Sequence, residues 1–210
     1  MRDVKSRSGT LRAERAAVTR SRIEGSARSL FAAHGYGATT LREIADDAGV
    51  AVQTVYAVYG SKASVLRALR EALVNDPPAD AAYAEALAAT SVAAAVTAFA
   101  RSIRLRWEAG HDVVGINGDA ATVDPAIREE AGRVLEGRRR GIAALARTIA
   151  SLDPARADVS HTTAVLDALT QPGVYGTLVV DHGWTPDAFE TWLGAALRVL
   201  VEPEKAADRV

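Results

Sequence analysis

Gln53, Thr54 and Tyr56 fall within four positions of one another, between Gly49 and Gly60, and each carries a group that makes directed polar contacts. A glutamine amide donates and accepts at once, which matches the edge that adenine presents in the major groove. A threonine offers a methyl to thymine or a hydroxyl to a phosphate. Gln53 is therefore the candidate base reader, and Thr54 is a candidate for either contact. Thr40, Arg42, Tyr59 and Lys62 flank these three. Thr40 and Lys62 each stand where a helix is expected to start, where free backbone N–H groups and the helix dipole favour an anion. The structural alternatives are a solvated surface position for Gln53 and a core position for Tyr56.

Other chemistries find less in the sequence. The four histidines, His34, His111, His161 and His182, include no pair at the i, i+4 spacing of helical metal ligands, and the chain has no cysteine. No metal and no cofactor are expected. Asp153 and Asp158 flank Pro154 in what reads as an interhelical turn, where aspartate serves as a cap. There is no glycine-rich phosphate loop after a strand and no G-x-S-x-G elbow, so catalytic residues are not expected. The run Arg138-Arg139-Arg140 reads as a solvated helix face with partners such as Glu136.

The elements that must position the polar cluster are legible as helices. Hydrophobic residues make up 49% of the chain but aromatics only 5%, and many of the rest are alanine, the best helix former. An all-α fold follows. Ile23, Ala27, Leu30 and Phe31 recur at helical spacing until Gly35-Tyr36-Gly37 stops them. Thr40-Leu41-Arg42-Glu43 has the form of a capping box that starts a second helix at Leu41. Gly49 ends it after two turns, and a third short helix covers Val52 to Val58. Two short helices about a glycine turn are a helix-turn-helix. Leu41, Ile44, Ala45, Val50, Val55 and Tyr59 are expected to face inward. After Gly60, Ser61 caps a fourth helix carrying Val65, Leu66 and Leu69, which Asn75-Asp76-Pro77-Pro78 ends.

Three segments result: a flexible basic arm at 1–18, a helix-turn-helix domain with its connecting helix at 19–76, and a second helical domain at 77–210. Helices are expected in that domain near 80–88, 91–109, 125–151, 158–182 and 185–202, with a helical turn near 113–121. Val92, Val96, Phe99, Ile103 and Trp107 mark one core wall, and Ile127, Val134, Leu135, Ile142, Leu145 and Ile149 another. Residues 1–75 carry 12 Lys/Arg against 7 Asp/Glu, and residues 76–210 carry 13 against 19, a split of +5 and −6. A basic N-terminal third suits a polyanionic partner. The N-terminus lacks the apolar core of a signal peptide and no later segment supplies about 18 uninterrupted apolar residues. A soluble cytoplasmic protein with no membrane partner is expected.

The stretch from Thr39 to Lys62, TTLREIADDAGVAVQTVYAVYGSK, closely resembles the DNA-binding region of the tetracycline-repressor (TetR/AcrR) family. With Ile23, Phe31, Gly35 and Tyr36 upstream and Val65 and Leu66 downstream, the resemblance spans about 50 residues. It implies a transcription regulator, a repressor by preference, that binds double-stranded operator DNA, with Thr40, Tyr56 and Lys62 on the phosphate backbone. The chain departs from the pattern at Ala51, where many members have a serine N-cap, and at Ala57-Val58, which replace a pair that is often polar.

A helix-turn-helix reads two half-sites about one helical turn, 34–36 Å, apart, which calls for a homodimer. The last two helices are the expected interface, through Leu166, Phe189, Trp192, Leu193, Leu197 and Leu200. Burial of these residues within their own chain is the alternative. A small-molecule effector is expected among the central helices, where Phe99, Ile103, Trp107, Leu169 and Tyr175 either line a pocket or fill the core. Gln171-Pro172-Gly173-Val174-Tyr175-Gly176 interrupts the penultimate helix there. A small-molecule binding protein that has lost DNA recognition is the competing function.

Overall fold

A computed structural model describes residues 3–154 and 158–201, with side chains from Ala13 onward. Every regular element among the described residues is helical. In chain order these are α1 (Asp3–His34), α2 (Leu41–Ala48), α3 (Val52–Tyr59), α4 (Lys62–Val74), α5 (Pro77–Leu87), α6 (Val92–Val123), α7 (Pro125–Leu152), α8 (Val159–Leu169), α9 (Pro172–Tyr175) and α10 (Pro186–Leu200). A π-helical turn, Gly176–Asp181, follows α9. No described helix is long and apolar enough to cross a membrane.

The chain forms two compact units. One runs to Ala72 and takes in Gly115–Glu129; the other comprises Leu73–Val114 and the chain from Glu130 onward. Two expectations are corrected here. The segment 115–129, expected with the second domain, joins the first unit because Ile116, Ala120 and Ile127 are buried there and Arg70 Nη1 donates to Asn117 Oδ1 at 3.0 Å. The arm expected at 1–18 is helical from Asp3 onward. Alanine, arginine and glutamate at 12–17 favour a helix without any apolar stripe, which is the signal that periodicity detects.

In the first unit Ile23, Ala27 and Phe31 of α1 are buried four residues apart. Buried in the same unit are Leu41, Ile44, Ala45 and Ala48 of α2, Val55 of α3, and Val65, Leu66 and Leu69 of α4. Each large side chain of this set contributes roughly 1.5–3 kcal/mol by leaving water. Tyr36 closes the core with its ring 5.3 Å from that of Phe31. The turn between α1 and α2 needs Gly35, whose φ of 83° is left-handed. The buried Thr39 hydroxyl then closes that turn on the Gly35 carbonyl at 2.9 Å.

In the second unit Asp76 caps α5, its Oδ1 accepting from Ala79 N at 2.8 Å, with Pro77 in the first turn. α6 buries Ala95, Val96, Phe99, Ala100, Ile103 and Trp107, and α7 buries Ile142, Leu145, Ala146 and Ile149. Val134 and Leu135, expected in the α7 wall, are instead exposed. The expected helices 91–109 and 113–121 form one element broken at Gly110, where φ −173° and ψ 41° leave the helical region. A Cβ there would lie 3.3 Å from Leu73 Cδ1, so the break is a place of close approach.

The expected 158–182 helix is interrupted after Leu169. Pro172 has no N–H to continue the ladder, and the carbonyls left open find other donors. Arg138 Nη2 donates to Thr170 O at 3.1 Å and Thr170 Oγ1 at 2.8 Å, while Trp107 Nε1 donates to Thr170 O at 3.1 Å. Arg138 also pairs with Asp167. It is thus the clasp of a broken helix and not one cation of a solvated run.

Candidate nucleic-acid interface

α2 begins with the reciprocal cap that its sequence specifies. Glu43 Oε2 accepts from Thr40 N at 2.7 Å and from the Thr40 hydroxyl at 2.8 Å, and that hydroxyl accepts from Glu43 N at 3.2 Å. These bonds hold the Glu43 carboxyl below the usual carboxylate range. The Thr40 proton is therefore already committed to Glu43, and what this helix start offers an anion is its free first-turn N–H groups. Arg42 in the same turn is exposed.

The turn into α3 is made by Gly49 at φ 62°, with Val50 N donating to Ala45 O at 3.0 Å. Arg22 of α1 lies against this turn; a Cβ on Gly49 would meet its Nη2 at 2.6 Å. α3 itself starts without a side-chain cap at Ala51 and stops at Gly60, φ 74°, whose N–H donates to Tyr56 O at 2.9 Å. Of its eight residues only Val55 is fully buried. Gln53 is exposed, Thr54 is half-buried, and Tyr56 is 55% exposed. Positions 53 and 56 are i, i+3 neighbours, so the amide and the phenol share one outward face.

Two predicted contact residues are turned inward. The Tyr59 hydroxyl donates to Glu24 Oε1 at 2.7 Å, and burial together with that carboxylate raises its pKa well above the ordinary phenol value. Half-buried, it fits the inward expectation and is not a free phosphate donor. Lys62 Nζ donates to the carbonyls of Tyr36 at 2.6 Å, Thr39 at 2.7 Å and Gly37 at 3.3 Å, and it lies 4.4 Å from the Tyr36 ring centroid. An ammonium has three protons, and all three are directed into the α1–α2 turn. Burial lowers the Lys62 pKa against the opposing pull of Glu43. In the single chain Lys62 is thus tied to that turn. Glu24 and Arg22 went unnoticed in the sequence because nothing local marks a residue whose partner lies about 30 positions away.

In the second unit Phe99, Ile103, Trp107 and Tyr175 are buried and Leu169 is half-buried. His111 joins two of them: its Nδ1 is 3.2 Å from Trp107 O and its ring 5.3 Å from that of Tyr175. Tyr175 stands edge-on to Phe189 at 5.0 Å, and Trp192 continues the stack at 5.9 Å from Phe189. Of the residues expected at an interface, Leu166, Phe189, Leu193 and Leu197 have no exposed surface in the single chain. Trp192 is half-buried and Leu200 is 45% exposed. Among the described residues no group of three or more His, Asp or Glu side chains is arranged to hold a metal ion.

Residues 25–69 match the sequence profile of the bacterial regulatory proteins, tetR family. No curated protein sequence matches the chain. Among solved structures, the fatty acid degradation regulator FadR from Bacillus halodurans superposes with a TM-score of 0.66 at 18% identity, covering 89% of this chain and 96% of that one. The TetR family transcriptional regulator PfmR from Thermus thermophilus does so at 0.62 and 17%, covering 86% and 94%. A tetR-family regulatory protein from Rhodococcus gives 0.59 and 18%, covering 87% and 96%. At these identities the likeness is one of fold, and it extends along nearly the whole chain.

Proposed function

We infer from the tetR family of bacterial regulatory proteins, to which this chain belongs through residues 25–69, that it regulates transcription by binding operator DNA. The observation that carries this reading is the outward face of α3. Gln53 and Tyr56 are exposed on one outward face of a helix whose two ends are set by glycine turns. Gln53 reads a base edge, and Tyr56, Thr54, Arg42 and the first turn of α2 at Thr40 hold the backbone. Tyr59 and Lys62 serve the geometry of that face from within.

The regulator is read as a repressor that a small, largely apolar molecule releases from DNA. Supporting this is the buried aromatic group of Trp107, Tyr175 and Phe189 beside two breaks in the helices, at Gly110 and after Leu169. Phe99, Ile103 and Leu169 complete the candidate lining. A break lets a helix take two arrangements with little repacking, and a ligand preferring one of them shifts the population. A homodimer supplies the second reading helix. Because Phe189, Leu193, Leu197 and Leu166 are consumed by their own chain, the surface offered to a second copy is the outward set of Val180, Trp184, Val199 and Leu200, with Trp192 at its edge.

The test is fluorescence anisotropy on duplexes that the protein itself selects from a random library. Tight binding, with Gln53→Ala losing about 1–3 kcal/mol of discrimination at one base position and unfolding as the parent does, supports the operator reading. Selection of no duplex at any salt concentration overturns it in favour of a ligand-binding protein that has lost DNA recognition.

A further inference from the structure

α3 carries no charge. From Gly49 to Ser61 the chain has no Lys, Arg, Asp or Glu, and the cation that follows, Lys62, donates to three backbone carbonyls of the α1–α2 turn. Arginine and lysine are the side chains that pair with guanine O6 and N7, and carboxylates accept from the cytosine amine. The reading helix therefore lacks the charged groups by which a G·C pair is most often recognised.

Its outward face carries an amide and methyl groups instead. At about 100° per residue, positions 53 and 57 each stand about 160° from the buried Val55, one on either side, and together they form the crest of the helix. Thr54 and Val58, also four apart, run along one flank, and Tyr56 occupies the other. Gln53 and Ala57 are exposed, and Val58 leaves 41% of its surface in water. Neither Ala57 nor Val58 fills the core, and neither side chain can hydrogen-bond a base or a phosphate. On a helix that faces the major groove, such apolar groups have one complement on DNA, the C5 methyl of thymine.

We propose that α3 reads a short block of A·T pairs, in which Gln53 pairs with an adenine while Ala57 and Val58 pack on the methyl groups of adjacent thymines. This rests on the operator reading and specifies the sequence that the operator presents to α3. Positions 53 and 57 are about 6 Å apart along the helix axis and successive base pairs about 3.4 Å, so the crest spans roughly two base-pair steps. One amide and two apolar side chains thus address neighbouring pairs. Contact between methyls removes apolar surface from water. Cytosine offers no methyl there, and a purine edge would turn its hydrogen-bonding groups toward an apolar side chain, which leaves them unsatisfied.

The experiment selects duplexes from a random library with the full chain. Anisotropy is then read on the selected half-site with single thymidines replaced by deoxyuridine, which removes the methyl and keeps the base pair. Adjacent A·T pairs should be selected, and deoxyuridine should weaken binding of the parent about fourfold at each methyl contacted, the worth of one buried methyl group. In Val58→Ala one of these losses should disappear while its neighbour remains, and Ala57→Gly should show the reverse. Deoxyuridine without effect at every thymine of the half-site overturns the proposal and leaves the operator reading standing. So do losses that both variants keep, and so does selection of guanine at the positions whose preference Gln53→Ala, Ala57→Gly or Val58→Ala relaxes. Failure of the parent to select any duplex overturns the operator reading itself, and this proposal with it.

Discussion

α3 and α10 are both amphipathic helices, but they are held in opposite ways. α10 is fixed by its face: Phe189, Leu193, Gly194 and Leu197 are buried along its length. α3 is fixed by its ends: one residue, Val55, is buried, while Gly49, Gly60 and the Tyr59–Glu24 bond set its limits and its direction. A helix held by its face has spent that face on its own chain. A helix held at its ends keeps its surface for a partner, and the difference separates the element suited to recognition from the element that builds a core.

The contrast can be broken most severely on the α10 side. Phe189→Ala removes a ring with no exposed surface and should cost about 3–5 kcal/mol in urea unfolding. If that variant instead kept its stability and lost only self-association, the buried face of α10 would itself be the interface and the contrast would fail. On the α3 side the heaviest single change is Lys62→Met, which leaves the carbonyls of Tyr36, Gly37 and Thr39 without their charged donor. It should lower unfolding stability by about 1.5–3 kcal/mol and weaken all DNA sequences equally. A salt slope reduced by about one with stability intact would return Lys62 to the phosphate backbone.

Smaller changes sharpen the picture. Ala51→Ser supplies the missing cap of α3 and should stabilise the protein by about 1 kcal/mol, seen as a higher urea midpoint. The smallest effect concerns acid. The Glu43 carboxyl titrates below its ordinary 4.5 because Thr40 donates to it. Its contribution is therefore present above pH 4.5 and lost as pH falls through the lowered value. Comparing thermal melts of the parent and Glu43→Gln, the gap should be steady near neutrality and close in acid; a constant gap at all pH values would mean that the cap does not depend on charge.

Local rules made the first unit readable. The capping box at Thr40, the glycine turn at Gly49 and the stop at Gly60 each depend on residues a few positions apart, and each stands where its sequence puts it. Gln53 and Tyr56 face outward for the same reason, since helical spacing turns them about 160° and about 100° away from the buried Val55. What the sequence did not disclose depends on distant partners. The ammonium of Lys62 looks free until the α1–α2 turn closes over it, and Tyr59 looks like either a core ring or a contact until Glu24 arrives from α1. Periodicity likewise marked α10 as strongly apolar, but it carries no information on whether that face meets its own chain or another. Val134 and Leu135 show the converse, apolar residues at core spacing that stay more than a third exposed in the single chain.

The two left-handed glycines that bracket α3 have a consequence for how such a protein diversifies. An eight-residue helix within the ten positions between these stops cannot slide or lengthen without rebuilding a turn, and any side chain at Gly49 or Gly60 would be strained. Change is thereby channelled into the identity of the outward residues and away from their placement. Positions 53, 56 and 57 can be exchanged like type in a locked forme, each new letter printing at the same spot, so a lineage can explore many DNA words while the scaffold that presents them stays the same.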